Sequence, residues 1–94
     1  MCTINLSEVM NGKNYPDAGD SLYELINKEA DRCDRLVLNM EGVDAMPSMF
    51  LNTSIGRIIQ ERGAEFLRQK VLFARITRSQ AERLKSYIDR YVIA

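Results

Sequence analysis

Histidine and tryptophan are absent from this 94-residue chain, and cysteine and proline occur only twice each. Without histidine there is no Ser-His-Asp triad, no imidazole metal ligand and no imidazole proton relay. Cys2 and Cys33 do not form a C-x-x-C pair, and two separated thiols are too few to make a structural zinc site by themselves. With no secretory signal pattern ahead of the first apolar segment, they read as reduced cysteines of a cytoplasmic protein. No apolar run approaches the ~20 residues of a membrane span. Glycine-rich phosphate loops are missing too: Glu41-Gly42-Val43-Asp44 has one glycine and acidic flanks, the wrong charge for a phosphate cradle.

What is present describes one small globular domain spanning residues 1–94. Hydrophobic residues make up 46% of the chain and charged residues 28%, the balance of an ordinary soluble domain with a single core. The net charge is zero but unevenly spread. Residues 1–61 carry five basic and ten acidic side chains, whereas residues 62–94 carry eight basic and three acidic ones. Such segregation arises on solvated surfaces. It also suits a basic face for an acidic partner, or for a head-to-tail neighbour in a homodimer.

Thr3-Ile4-Asn5-Leu6 alternates polar and apolar residues, the pattern of a half-buried strand. Asn11-Gly12 is a turn signal, and one reading of residues 7–15 is a short hairpin returning along Lys13–Tyr15. Pro16-Asp17-Ala18-Gly19 interrupts the chain, and Ser21 with Glu24 forms a capping-box pattern that predicts a first helix from there. Its apolar stripe is Leu22, Leu25, Ile26, Ala30 and Cys33, which makes Cys33 a small core residue.

The central stretch runs from Arg35 to Gly63. Residues 35–40 are almost continuously apolar, as in a strand buried on both faces. Gly42 suits a positive φ in the turn. Pro47 and Ser48 predict a helix start, with Ser48 as N-cap. Leu51, Ile55, Ile58 and Ile59 then recur at helical spacing up to a stop at Gly63. Gly56 inside this helix costs about 1 kcal/mol against alanine, which points to close approach of another backbone, either one of the domain's own helices or a partner surface. Residues 64–69 form a link, and residues 70–75 a second apolar strand beside and parallel to the central one. Thr77 with Gln80 and Ser79 with Glu82 are competing capping boxes for a last helix, whose face is Ala81, Leu84, Ile88 and Tyr91, flanked by Tyr87. The fold class is therefore α/β: a small mixed sheet of at least three strands with three helices packed on it.

Leu36-Val37-Leu38-Asn39-Met40-Glu41-Gly42-Val43, followed by Ser48-Met49-Phe50-Leu51-Asn52-Thr53-Ser54-Ile55-Gly56, resembles the central motif of the STAS-like domain family, bacterial relatives of anti-sigma-factor antagonists. Phe50-Leu51-Asn52 and the Ile55-Gly56 pair carry the resemblance at the family's spacing. Asn39 replaces the usual Asp. In the antagonists proper the helix begins Asp-Ser-Ser-Gly, and its second Ser is phosphorylated. The same register here gives Pro47, Ser48, Met49 and Phe50, so the phosphoacceptor position is Met49.

The resemblance implies a non-enzymatic regulatory interaction module that docks on a histidine-kinase-like ATPase or another regulator. Its docking surface, carried onto this chain, is Asp44, Met46, Ser48, Met49, Asn52, Thr53 and Arg57. The residues themselves mark no catalytic group and no cofactor or metal site. Asp44 reads as a solvated or capping turn carboxylate. Met46 and Met49 suit either an adaptable contact patch or burial against the sheet edge. The alternative is a small nucleic-acid-associated protein using the basic C-terminal third, including Arg83 and Arg90 on the same helix as Tyr87 and Tyr91. The neutral total charge argues against it.

Overall fold

The structure, a computed structural model, describes residues 2–43 and 45–93, with side chains through residue 91. Its sheet has three strands in the order β1-β2-β3: β1 (Cys2–Asn5), β2 (Leu36–Asn39) and β3 (Val71–Ala74). Both pairings are parallel, with Ile4 opposite Leu38 and Leu38 opposite Phe73. The expected adjacency of the two apolar strands holds. The sheet is parallel throughout rather than mixed, because no hairpin forms at Asn11-Gly12. Instead Leu6–Met10 coils into a short helix, α1, that buries Leu6 and Val9. The central strand is also not buried on both faces. Leu36 and Leu38 are fully buried, while Val37 and Asn39 are half-buried, and Asn39 Nδ2 donates to Asn5 Oδ1 of the neighbouring strand at 3.0 Å.

Helix α2 (Tyr15–Ala30) begins a turn and a half before Ser21. Asn14 caps it, its Oδ1 accepting from the Asp17 N–H at 2.9 Å, and Pro16 falls in the first turn, where a missing N–H costs nothing. The Pro-Asp-Ala-Gly segment therefore starts the helix instead of breaking the chain. Gly19 is buried inside α2 because α3 (Ser48–Thr53) crosses it there: a Cβ at this position would lie 2.8 Å from the Phe50 carbonyl oxygen and overlap Thr53.

The helix expected to run unbroken to Gly63 is divided into α3 and α4 (Ile55–Arg62). The break sits at Ser54, whose φ and ψ are −122° and −83°. Ser54 is fully buried and its hydroxyl donates back to the Phe50 carbonyl at 2.8 Å, while Thr53 Oγ1 reaches the Met49 and Phe50 carbonyls. Two successive hydroxyls competing for the same backbone acceptors bend a helix in this way. Gly63 ends α4 with φ of 86°, as its position predicts. The expected link after it is a further helix, α5 (Ala64–Lys70).

Helix α6 (Arg78–Ile93) starts from the first of the two competing caps. Thr77 and Gln80 bond reciprocally, the Gln80 N–H to Thr77 Oγ1 at 3.1 Å and the Thr77 N–H to Gln80 Oε1 at 3.0 Å. Gly56 lets α6 approach α4: a Cβ there would lie 2.5 Å from the Tyr87 hydroxyl and 3.1 Å from the Tyr91 ring. Of the two alternatives for this glycine, packing against the domain's own helices is the one it serves.

The two cysteines are not separate thiols. Cys2 on β1 and Cys33, just past α2, are joined as a disulfide with their Cα atoms 6.1 Å apart. Return of the chain to the sheet through α2 brings together residues 31 positions apart, a proximity that sequence spacing did not reveal. Both remain half-buried against the core edge.

Leu38 stands at the centre of the middle strand with no exposed surface. Leu38→Ala is expected to cost about 2–5 kcal/mol in equilibrium urea unfolding, a large part of the ~5–10 kcal/mol such a domain holds.

Candidate functional site

Between β2 and α3 the chain turns over the top of the sheet, at the C-terminal ends of its parallel strands. Gly42 takes φ of 83° there, and the Val43 N–H returns to the Met40 carbonyl at 3.1 Å. Pro47, in extended conformation, is the N-cap of α3 and makes no side-chain cap bond. Ser48 is thus the first helical residue and not the cap predicted for it. The Pro47 carbonyl accepts from the Phe50 and Leu51 N–H groups at 3.0 and 3.1 Å, which closes the first turn.

The rest of the support comes from α6. Gln80 Nε2 donates to the Val43 carbonyl at 2.7 Å, and Arg83 Nε donates to the Met46 carbonyl at 2.9 Å. A second Arg83 nitrogen lies 3.4 Å from Ser48 Oγ, and the Tyr87 hydroxyl donates to Asn52 Oδ1 at 2.6 Å. Residues 80, 83 and 87 are three and four apart, so they share one face of α6 and meet successive points of the loop and α3. Gln80 caps its own helix through Oε1 and holds the loop through its amide nitrogen.

The seven residues expected at the docking surface separate into groups. Ser48, Met49 and Asn52 lie on the outer side of α3, and Met49 is the most open large apolar side chain among the described residues, 57% exposed. Met46 is different: its side chain is core, 5% exposed, and only its carbonyl takes part at the surface. Of the alternatives for the two methionines, burial applies to Met46 and exposure to Met49. Thr53 is half-buried against Gly19 and back-bonded to α3. Arg57 is turned to α2, its guanidinium 3.7 Å over the Tyr23 ring and 3.0 Å from Asp20 Oδ1. The Tyr23 hydroxyl in turn donates to Glu61. Asp44 lies outside the described residues.

Beside the start of α3 is a hollow of about 280 Å³, lined by Ala45, Met46, Pro47, Ser79, Gln80 and Arg83. Its walls are mainly apolar, with Arg83 and Gln80 supplying the polar groups. Such a surface binds through apolar contact with a few directed hydrogen bonds. Gln80 is absent from both surfaces expected from the sequence, and Arg83 and Tyr87 belong there only to the basic nucleic-acid face, not to the surface around α3. The signal for them was their i, i+3, i+7 spacing on the last helix, which has no meaning until α6 is placed over the loop.

A family model described as a STAS-like domain of unknown function matches residues 18–88, from the first turn of α2 to the second half of α6. The chain belongs to this STAS-like family. No curated protein and no solved structure matches it significantly. The match includes β2, α3, the loop between them and all three clamping residues of α6. Among the described residues no helix is long and apolar enough to cross a membrane.

Burial, with the nearby Tyr91 as a smaller cause, pushes the Tyr87 hydroxyl from its usual value near 10 up to about 12. A group that holds its proton more tightly when folded stabilises the fold fully below its unfolded value, and that contribution is lost as pH rises toward the folded one. The wild-type STAS-like domain is therefore expected to lose stability between about pH 10 and pH 12. In Tyr87→Phe this alkaline loss is expected to be smaller, measured by urea midpoints across that range.

Proposed function

We propose that this STAS-like domain is a non-enzymatic regulatory module that docks a protein partner through the start of α3, centred on Met49. The observation that carries the reading is Met49 itself: a large apolar side chain, 57% exposed, in the first turn of a helix whose approach loop is hydrogen-bonded to α6. Exposed methionine gives an apolar contact that adapts to its partner. A fixed backbone lowers the ordering cost of binding. Ser48 and Asn52 supply polar contacts at its edge, and the hollow under Arg83 suits an apolar partner side chain.

The partner class is a kinase-like ATPase or a regulator of a bacterial cytoplasmic switch, by the resemblance of the strand-turn-helix to anti-sigma-factor antagonists. With methionine at the phosphoacceptor register, binding is not switched by phosphorylation there. The nucleic-acid reading draws less support. Of the eight basic side chains in residues 62–94, Arg62, Arg68, Arg75, Arg78 and Arg83 make hydrogen bonds or ion pairs within the fold.

Met49→Asp separates fold from binding. A carboxylate in the first helical turn faces the positive end of the helix dipole, favourable by ~0.3–1 kcal/mol. At an apolar interface the same unpaired charge costs several kcal/mol to desolvate. The variant is expected to melt within a few degrees of wild type and to lose at least ~100-fold in affinity for a purified partner, by titration calorimetry. Normal melting with normal binding would move the interface away from α3. A large drop in Tm would place Met49 in the core.

A further inference from the structure

Far from the α3 surface, three ligand-bearing side chains meet at the β1 edge. The sulfurs of Cys2 and Cys33 and a carboxylate oxygen of Glu29 all lie within 4.8 Å of one another. Glu29 lies in the last turn of α2 and Cys33 just past its end, where the Cys33 N–H still donates to the Glu29 carbonyl at 2.9 Å; this turn brings the two side chains together, and β1 brings Cys2 to them. All three are half-buried, open enough for an ion to enter. We propose that, once the Cys2–Cys33 bond is reduced, Cys2, Cys33 and Glu29 form a binding site for a thiophilic divalent cation of the zinc class.

The geometry fits that chemistry. Glu29 Oε2 is 3.8 Å from Cys33 Sγ. Two ligands of one tetrahedral zinc, with bonds of about 2.3 Å to sulfur and 2.0–2.2 Å to oxygen, are separated by roughly 3.6 Å. The carboxylate is therefore already at ligand distance from one sulfur. A Cα separation of 6.1 Å leaves the two sulfurs free to part by side-chain rotation to the spacing of a shared ion. Two thiolates and a carboxylate give a soft, anionic donor set, which favours zinc over calcium or magnesium. Bound zinc leaves one net negative charge, and Arg32, whose guanidinium is 3.5 Å from the other Glu29 oxygen, balances it. Three protein ligands leave a fourth position for water.

A dithiol reductant transfers two electrons to the Cys2–Cys33 bond, becomes a cyclic disulfide, and leaves two thiols. The cation displaces one proton from each thiol to solvent and exchanges part of its water shell for two sulfurs and one oxygen. Disulfide and metal site use the same sulfurs, so each form excludes the other. In a compartment whose thiol pool keeps cysteines reduced, the metal form is the one available.

The test uses the full chain, reduced with a phosphine under nitrogen and titrated with zinc against a chromophoric chelator. One zinc per chain is expected, tightening as pH rises because two protons leave. Cobalt in its place should give the near-ultraviolet sulfur-to-metal band and the visible bands of a tetrahedral ion. Cys33→Ser is expected to weaken zinc binding by at least ~100-fold, and Glu29→Gln by ~10-fold or more. Should Cys33→Ser fail to fold, X-ray absorption on the zinc-loaded wild type reads the ligands directly: two sulfurs at about 2.3 Å and lighter atoms near 2.0 Å. The proposal is overturned if the reduced wild type takes up no zinc, if Glu29→Gln binds as tightly as wild type, or if the absorption data show no sulfur or four sulfurs.

Discussion

The β2–α3 loop depends on a helix that lies more than thirty residues further along the chain. Gln80 and Arg83 of α6 donate to the carbonyls of Val43 and Met46, and Tyr87 donates to Asn52 at the end of the next helix. A loop between a strand and a short helix leaves backbone carbonyls with no partner in either element, and such groups must be satisfied elsewhere. Here side chains on one face of α6 satisfy them, each net contribution being about 1 kcal/mol, with more from the charged guanidinium. The same bonds hold the first turn of α3 in one place, so that Met49 projects from a positioned helix.

Close helix approaches make that clamp geometrically available. Gly19 allows α3 to sit directly on α2, and Gly56 allows the Tyr87 and Tyr91 rings to settle on α4. A Cβ at Gly19 would collide with the backbone of α3, and one at Gly56 would displace the Tyr87 hydroxyl. The break at Ser54 matters for the same reason. Bending the chain between α3 and α4 lets Asn52 meet Tyr87 on one side while Thr53 meets Gly19 on the other. The ~1 kcal/mol that a mid-helix glycine costs is offset by the packing it permits.

Much of the fold was legible because it rests on local patterns. The two apolar strands, their parallel adjacency, the turn at Gly42 and the stop at Gly63 each follow from a few neighbouring residues, and all are present. The Thr77–Gln80 cap was one of two local candidates, and only the structure selects it. What failed depended on distant partners or on competition between local signals. Asn14 outcompetes Ser21 as a helix start because proline is harmless in a first turn. Thr53 and Ser54 read as ordinary helical residues until their hydroxyls are seen bonded back to the same turn. Cys2 and Cys33, 31 residues apart, become neighbours only through the crossover to β2. Of the residues expected at the docking surface, Met49 is exposed, whereas the Met46 side chain lies in the core and Arg57 contacts α2.

Through Gln80, Arg83 and Tyr87, α6 holds the loop and α3 in register. Amide hydrogen exchange across residues 43–53, in wild type and in the Gln80→Ala/Arg83→Ala double variant, tests it most directly. Loss of about 1–2 kcal/mol of local support predicts exchange roughly 5–30-fold faster in α3, with the amides of β2 unchanged. Unaltered exchange in α3, or equal acceleration in α3 and β2, would contradict it.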